Sequence, residues 1–420
     1  MLGRIPQPLR RAITTTATRA AVGVVGVQFA TIATLVGYDA VKKRGRKTRS
    51  GFPKPGHYAA DVAGSDMDVF TFGAELYDDM IAAIDAAERT VYLETYLWKS
   101  DDYGKRFLDA LNRAGARGVD VKVMYDGVGN MVVDPRFYRF GPGVEHYRFP
   151  VVRPQLLVTP LRSSGLTHRK LLIVDDEYSY VGGYNLGSTY ATEWRDTHLK
   201  ISGADSWLLR QAFVSSWNSI AARRGGCEPI ARLDPVEWES RIRVLTNMPV
   251  RRVYPIRNMY LQAIDQAAKS IYISTAYFIP DQQILDALIR ARNRGVDVRL
   301  MFPMDSNHVL ADWASRGFYA QLLREGITVL LYKDAMIHAK TATIDGVWST
   351  IGTANIDRLS LSFNYEVNIE IVDHDLAAVM ERIFEFDSEN CWRITKQEWD
   401  ERHPLAWMGE WALAPLRPLL

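Results

Sequence analysis

The chain has 420 residues, 47% hydrophobic and 24% charged, with a formal net charge of +2. That balance excludes a disordered, collagenous or polytopic membrane protein, and the length accommodates two or three domains with a sizeable core. Two cysteines, Cys227 and Cys391, are too few for a disulfide framework or a cysteine-rich zinc site and leave the redox compartment open.

The charge is unevenly spread. Residues 1–50 carry ten Arg/Lys against one acid, Asp39, so the leader is strongly basic and the body mildly acidic. An acidic body argues against nucleic acid as a partner. Residues 20–38 contain no formal charge, a run just long enough to span a bilayer, and six cations follow. A membrane anchor that holds the body at anionic lipid is the favoured reading. A cleaved signal, an organellar transit peptide and a helix packed on the body are the alternatives.

The body is duplicated. A strand over 90–96, a helix over 103–116 and a strand over 119–125 recur as 270–275, 281–294 and 296–302. Residues 83–93 resemble 263–273, and Arg-Gly-Val-Asp-Val at 117–121 returns at 294–298. A further helix over 310–324 leads to a strand over 327–332. Apolar runs at 171–174 and 178–181, and at 341–344 and 347–351, read as tight hairpins. Helices over 206–222 and 374–390 close the copies. The alternation predicts α/β architecture: two similar domains with mixed β-sheets flanked by helices, related by a pseudo-twofold. The expected units are a leader (1–50), a first domain (51–222), a connector (223–250), a second domain (251–400) and an apolar tail (401–420). Trp407 and Trp411 in that tail are expected to cover a core rather than lie in a membrane interface.

Each copy contains His-x-Lys-x4-Asp, followed by an Asn and an acid at matching distances. His168, Lys170, Asp175, Asn185 and Asp196 correspond to His338, Lys340, Asp345, Asn355 and Glu366. In a strand, residues i and i+2 point the same way, so each histidine shares a face with its lysine. Lysine offers a point charge to phosphoryl oxygens, and asparagine offers neutral N–H donors. Imidazole can serve as nucleophile, base or acid near neutrality. A carboxylate on its Nδ1–H would fix the tautomer and leave Nε2 facing phosphorus. A metal site is the rival reading, opposed by the ammonium beside each histidine.

These motifs resemble the paired HKD motifs of the phospholipase D superfamily, and within it most nearly the bacterial cardiolipin synthases. Supporting segments are 94–98, 276–280 and 355–366, and the likeness covers about 70–400. The resemblance implies one active site between two domains, with a phosphohistidine on His168 and His338 as acid/base. Asp196 and Glu366 would orient the rings. Lys170, Lys340, Asn185 and Asn355 would hold phosphate. Asp175 and Asp345 belong to the implied catalytic set but are expected to brace the motif. The family often places Ser after the motif glycine, where this chain has Gly183 and Thr353, so only Thr353 retains a hydroxyl for substrate. Glu94 and Tyr96 are candidates for the headgroup pocket, against packing or an ion pair. His308 is a lesser substrate candidate, while His146 and His198 read as structural. The aromatic loop 137–149 reads as packing, with lipid contact as the alternative.

The implied activity is membrane-associated phosphatidyl transfer to phosphatidylglycerol or another alcohol. Hydrolysis of the same intermediate by water, as in a phospholipase D or a nuclease, is the first alternative. A catalytically silent lipid-binding scaffold is the second. Anionic phospholipid is the implied partner, and no metal or organic cofactor is implied. One site per chain makes a monomer sufficient.

Overall fold

The computed structural model describes residues 53–151, 165–224, 227–231 and 239–402, with the isolated positions 34, 37 and 410. The expected span over 20–38, apart from positions 34 and 37, and the tail beyond 402, apart from 410, lie outside them. Among the described residues no helix is long and apolar enough to cross a membrane.

Two eight-stranded mixed sheets form the frame. The first runs in the spatial order His57–Val62, Ser65–Phe70, His198–Ser202, Tyr178–Gly182, Leu171–Val174, Thr90–Thr95, Asp120–Tyr125, Val144–Arg148. The second runs Ile242–Asn247, Glu366–Val372, Trp348–Gly352, Lys340–Ile344, Ser270–Thr275, Asp297–Pro303, Thr328–Tyr332, Cys391–Arg393. Seven positions match in order. The copies differ at their edges, where the first adds strand His57–Val62 and the second adds Cys391–Arg393.

Local chemistry explains why the repeat is so regular. Asp101 caps helix Asp102–Ala116 by accepting the Gly104 N–H, and Asp281 caps Gln282–Asn293 by accepting from Gln283 and Ile284. The repeated Arg-Gly-Val is a helix stop. Gly118 and Gly295 take left-handed φ of 90° and 94°, and the N–H groups of Val119 and Val296 fold back to Ala114 and Ala291. Arg117 and Arg294 reach the carbonyls that end the preceding helix, at Ile84 and Ala87 and at Ile264 and Ala267.

The molecule is layered. Helices Gly73–Ala86 and Asp102–Ala116 cover the outer face of the first sheet, and Pro255–Gln266, Gln282–Asn293 and Val309–Arg324 cover that of the second. Helices Ser206–Arg224 and His374–Glu389 lie between the sheets, where Ile173, Leu199 and Ile201 of one copy share a core with Ile351, Val367 and Ile369 of the other. Each such side chain contributes about 1.5–3 kcal/mol on burial, so the halves are held by a common core.

The loop 137–149 packs. Phe137, Tyr138 and Phe140 surround the buried Trp98 at ring distances of 6.2, 5.8 and 6.0 Å, and Val144–Arg148 forms an edge strand. The hairpin His57–Phe70 turns through Ala63 and Gly64, both at positive φ.

Asp175 and Asp345 sit in the turns of the motif hairpins, at the end remote from the histidines. Asp175 accepts the N–H groups of Glu88, Arg89 and Thr90 at 2.7–2.8 Å, and Asp345 accepts those of Ala268, Lys269 and Ser270 at 2.7–2.9 Å. Their carboxylates therefore tie the hairpin to the neighbouring strand and do not reach a substrate. Hydrogen bonds to a charged acceptor justify an estimate of about 2–4 kcal/mol for losing the set. Asp175→Ala should lower the unfolding free energy by that amount in urea titration, with Asp175→Asn losing less.

Candidate active site

Backbone pairing brings the motifs together. The His168 N–H donates to the Tyr365 carbonyl at 3.0 Å, and the His338 N–H donates to the Arg195 carbonyl at 2.6 Å. Tyr365 precedes Glu366 and Arg195 precedes Asp196, so each histidine is registered against the acid of the other copy. His168 and Lys170 lie just before strand Leu171–Val174, in the extended approach to it, while Lys340 begins its own strand.

The side chains follow that register. His168 Nδ1 lies 3.1 Å from the Glu366 carboxylate and 3.0 Å from the Thr353 carbonyl. His338 Nδ1 lies 2.6 Å from Asp196 Oδ2. Ionised carboxylates and carbonyls only accept, so each neutral ring carries its proton on Nδ1 and turns the Nε2 lone pair outward.

Burial sets the electrostatics. It lowers both imidazole pKa values, that of His338 well below the usual range, where the Lys340 and Lys170 ammoniums reinforce it. Burial likewise brings Lys170 down to about 7 and Lys340 to about 8, and it raises Asp196. Each lysine donates to the carbonyl of its own histidine. An anion arriving between two desolvated ammoniums would favour their charged forms.

Asn185 and Asn355 are buried beside the motifs. The Asn185 amide oxygen accepts the Leu97 N–H at 3.2 Å, whereas the Asn355 amide oxygen is buried with no hydrogen-bond partner among the described residues. Tyr96 stands edge-on to His168 at 4.9 Å, and Trp194 lies 4.9 Å from His338.

Two residues expected at the substrate have internal partners. Glu94 is 1% exposed, accepts the Thr167 hydroxyl at 2.5 Å with Arg169 4.0 Å away, and lines a small internal cavity with Lys170 and His198. The Thr353 hydroxyl donates to the Glu366 carboxylate at 2.5 Å. His308 is exposed, with its ring 5.6 Å from Tyr277. His146 packs on Phe140, and His198 is buried near Tyr184.

Two arginines escaped the sequence reading. Arg169, between His168 and Lys170, is fully buried and donates to the carbonyls of Glu366 and Asn247 at 3.2 and 3.1 Å. Arg195 forms a two-point ion pair with Asp387 at 2.9 and 2.6 Å. Both cross between copies beside a motif residue. Their signal was a charged residue inside an otherwise buried motif, with no counterpart at Ala339 or Tyr365.

Two intertwined α/β halves around a paired His/Lys/Asn set, with the orienting acids exchanged, define a two-histidine phosphoryl-transfer centre of the phospholipase D type. The chain belongs to the family described as "Cardiolipin synthase, PLD-like domain", which it matches over 80–217 and 260–388. It is 35% identical over 367 residues to cardiolipin synthase 1 of Staphylococcus epidermidis, covering 83% of this chain and 73% of that protein. It is 31% identical over 379 residues to the cardiolipin synthase of Clostridium perfringens, covering 85% and 77%. In fold it resembles phosphatidylserine synthase of Haemophilus influenzae, with a TM-score of 0.64 and 14% identity over 87% of this chain and 96% of that one. The polyphosphate kinase of Porphyromonas gingivalis is similar at a TM-score of 0.51 and 14% identity, over 87% and 53%.

The glycine at 183 has a geometric reason. A Cβ there would collide with the Asp196 carboxylate. The family serine is thus excluded by the acid that holds His338. Gly183→Ser should leave a folded protein whose turnover falls about tenfold or more, since overpacking costs about 1–3 kcal/mol and displaces that acid. Circular dichroism and a rate assay check both halves of the statement.

Proposed function

We propose that the protein is a membrane-associated phosphatidyltransferase of the cardiolipin synthase type. The observation that carries the reading is the exchanged pairing of two imidazoles with two carboxylates beside two buried ammoniums. The relatives named cardiolipin synthases, alike over most of the chain, support the substrate class. The two catalytic halves are assigned to 51–222 and 251–400, joined by 223–250, whose strand Ile242–Asn247 completes the second sheet, with the basic leader 1–50 holding them at anionic lipid.

In this reading the Nε2 lone pair of His168 attacks phosphorus of an anionic phospholipid. The bond from phosphorus to the headgroup oxygen breaks as protonated His338 gives its Nε2 proton to that oxygen. The bound phosphodiester anion raises the proton affinity that burial had lowered at His338. Neutral His338 then takes the proton of an incoming alcohol, such as a glycerol hydroxyl of phosphatidylglycerol. That oxygen bonds to phosphorus and the P–N bond breaks. Lys170, Lys340, Asn185 and Asn355 hold the non-bridging oxygens. Asp196 and Glu366 stabilise the imidazolium forms across the interface.

Incubation with phosphatidylglycerol and lipid mass spectrometry tests the activity, with His168→Ala alongside. Cardiolipin and glycerol are expected from the wild type and neither from the variant, with peptides of the denatured enzyme, kept from acid, carrying the phosphatidyl group on His168. Phosphatidic acid as sole product would make the protein a hydrolase, and label on His338 would reverse the roles.

A further inference from the structure

The exposed apolar side chains are not scattered. Nine large ones stand exposed among the described residues, and six of them (Met131, Val132, Val151, Val250, Val253 and Leu359) lie at the ends of strands nearest the two histidines. The registers establish this. Glu94 pairs with Leu171, next to Lys170, so strands Thr90–Thr95, Asp120–Tyr125 and Val144–Arg148 all finish at the site. Met131 and Val132 occupy the loop after the second of these and Val151 follows the third. In the other sheet Asn247 pairs with Glu366, so 249–253 emerges at the same end, and helix Arg358–Ser362 leads into Glu366. Of the remaining three, Tyr178 and Val372 lie at the opposite end and Trp392 is on an edge strand.

The patch is continuous with the catalytic register. Val151 packs at Gly127, and the ring of Phe149 lies 6.2 Å from Tyr365, whose carbonyl holds His168. Gly165 fits between Pro249 and the Phe363 carbonyl, and Asn247 donates to the Ser360 carbonyl at 2.9 Å, joining the last two segments. Interspersed are exposed Arg251, Arg252 and Arg358, against the single acid Asp134 in 127–134.

We propose that this rim is the surface that docks on an anionic lipid bilayer, with the apolar tips in the interface and the arginines among the headgroups. Exposed apolar tips ringed by cations are the composition that binds an anionic interface and binds a neutral one poorly. At 84% exposure Val132 gains nothing from the fold, and its place beside the cleft brings the docked face and the reacting phosphorus to one side of the molecule. The inference extends the proposed phosphatidyl transfer by adding how the site meets its lipid.

Two measurements on the full chain test it. In a background with Cys227→Ser and Cys391→Ser, an environment-sensitive fluorophore on Val132→Cys should shift to the blue with phosphatidylglycerol vesicles and not with phosphatidylcholine vesicles. The same fluorophore on Tyr178→Cys, at the far end, should not respond. No shift at 132, or equal shifts at both positions or with both lipids, overturns the proposal. In the rate assay, Val132→Asp with Val253→Asp should slow turnover of vesicle phosphatidylglycerol on the order of tenfold. Turnover of a monomeric short-chain phosphatidylglycerol should be unchanged. Equal losses on both substrates would place these residues in the site or the fold and overturn the docking role. A wild type that turns over neither lipid would defeat the transferase reading alone, because the fluorophore decides docking without turnover.

Discussion

The exchange of carboxylates between the two copies is the constraint from which the rest follows. Each imidazole receives its tautomer from the other half: His168 from Glu366 and His338 from Asp196. The backbone bonds one residue upstream of each acid fix that exchange to a register. Neither half alone contains an oriented histidine. The common core, the Arg169 contacts and the Arg195–Asp387 pair serve to keep two halves in one alignment. A buried pair such as Arg195–Asp387 adds little net stability against an apolar replacement, and its geometry fixes position more than it contributes energy.

The same burial that sharpens the geometry strains the charges. Two ammoniums and two imidazoles share a site from which water is largely excluded, so the cations lose proton affinity and the rings stay neutral. An anion relieves this, because its charge is attractive to both lysines and raises the proton affinity of the imidazoles. The arrangement is selective for an anion without choosing what the anion is attached to.

Much of this was legible in the sequence because the repeat is written in local chemistry. Capping aspartates, left-handed glycines and alternating apolar runs specify the same strand–helix–strand unit twice, and the motif spacing placed His, Lys and Asn together. The pairing of acids was not legible, since Asp196 and Glu366 stand at the same spacing whether they serve their own copy or the other. Arg169 and Arg195 were missed because a motif reading treats the residues between motif positions as fillers. Thr353 is a related case: spacing located the hydroxyl, but only the fold shows it turned to Glu366. The hairpin His57–Phe70 carries few β-branched residues and turns through an alanine in the left-handed region, so its pattern was weak.

The exchange itself is open to direct observation. Selective ¹⁵N labelling of the eight histidines would report the tautomer of each ring by its nitrogen shifts, in the wild type and in Asp196→Ala and Glu366→Ala. The account predicts that Asp196→Ala perturbs Nδ1 of His338 and leaves His168 unchanged, while Glu366→Ala does the converse. Loss of the His168 signal pattern on removing Asp196, with His338 intact, would contradict it.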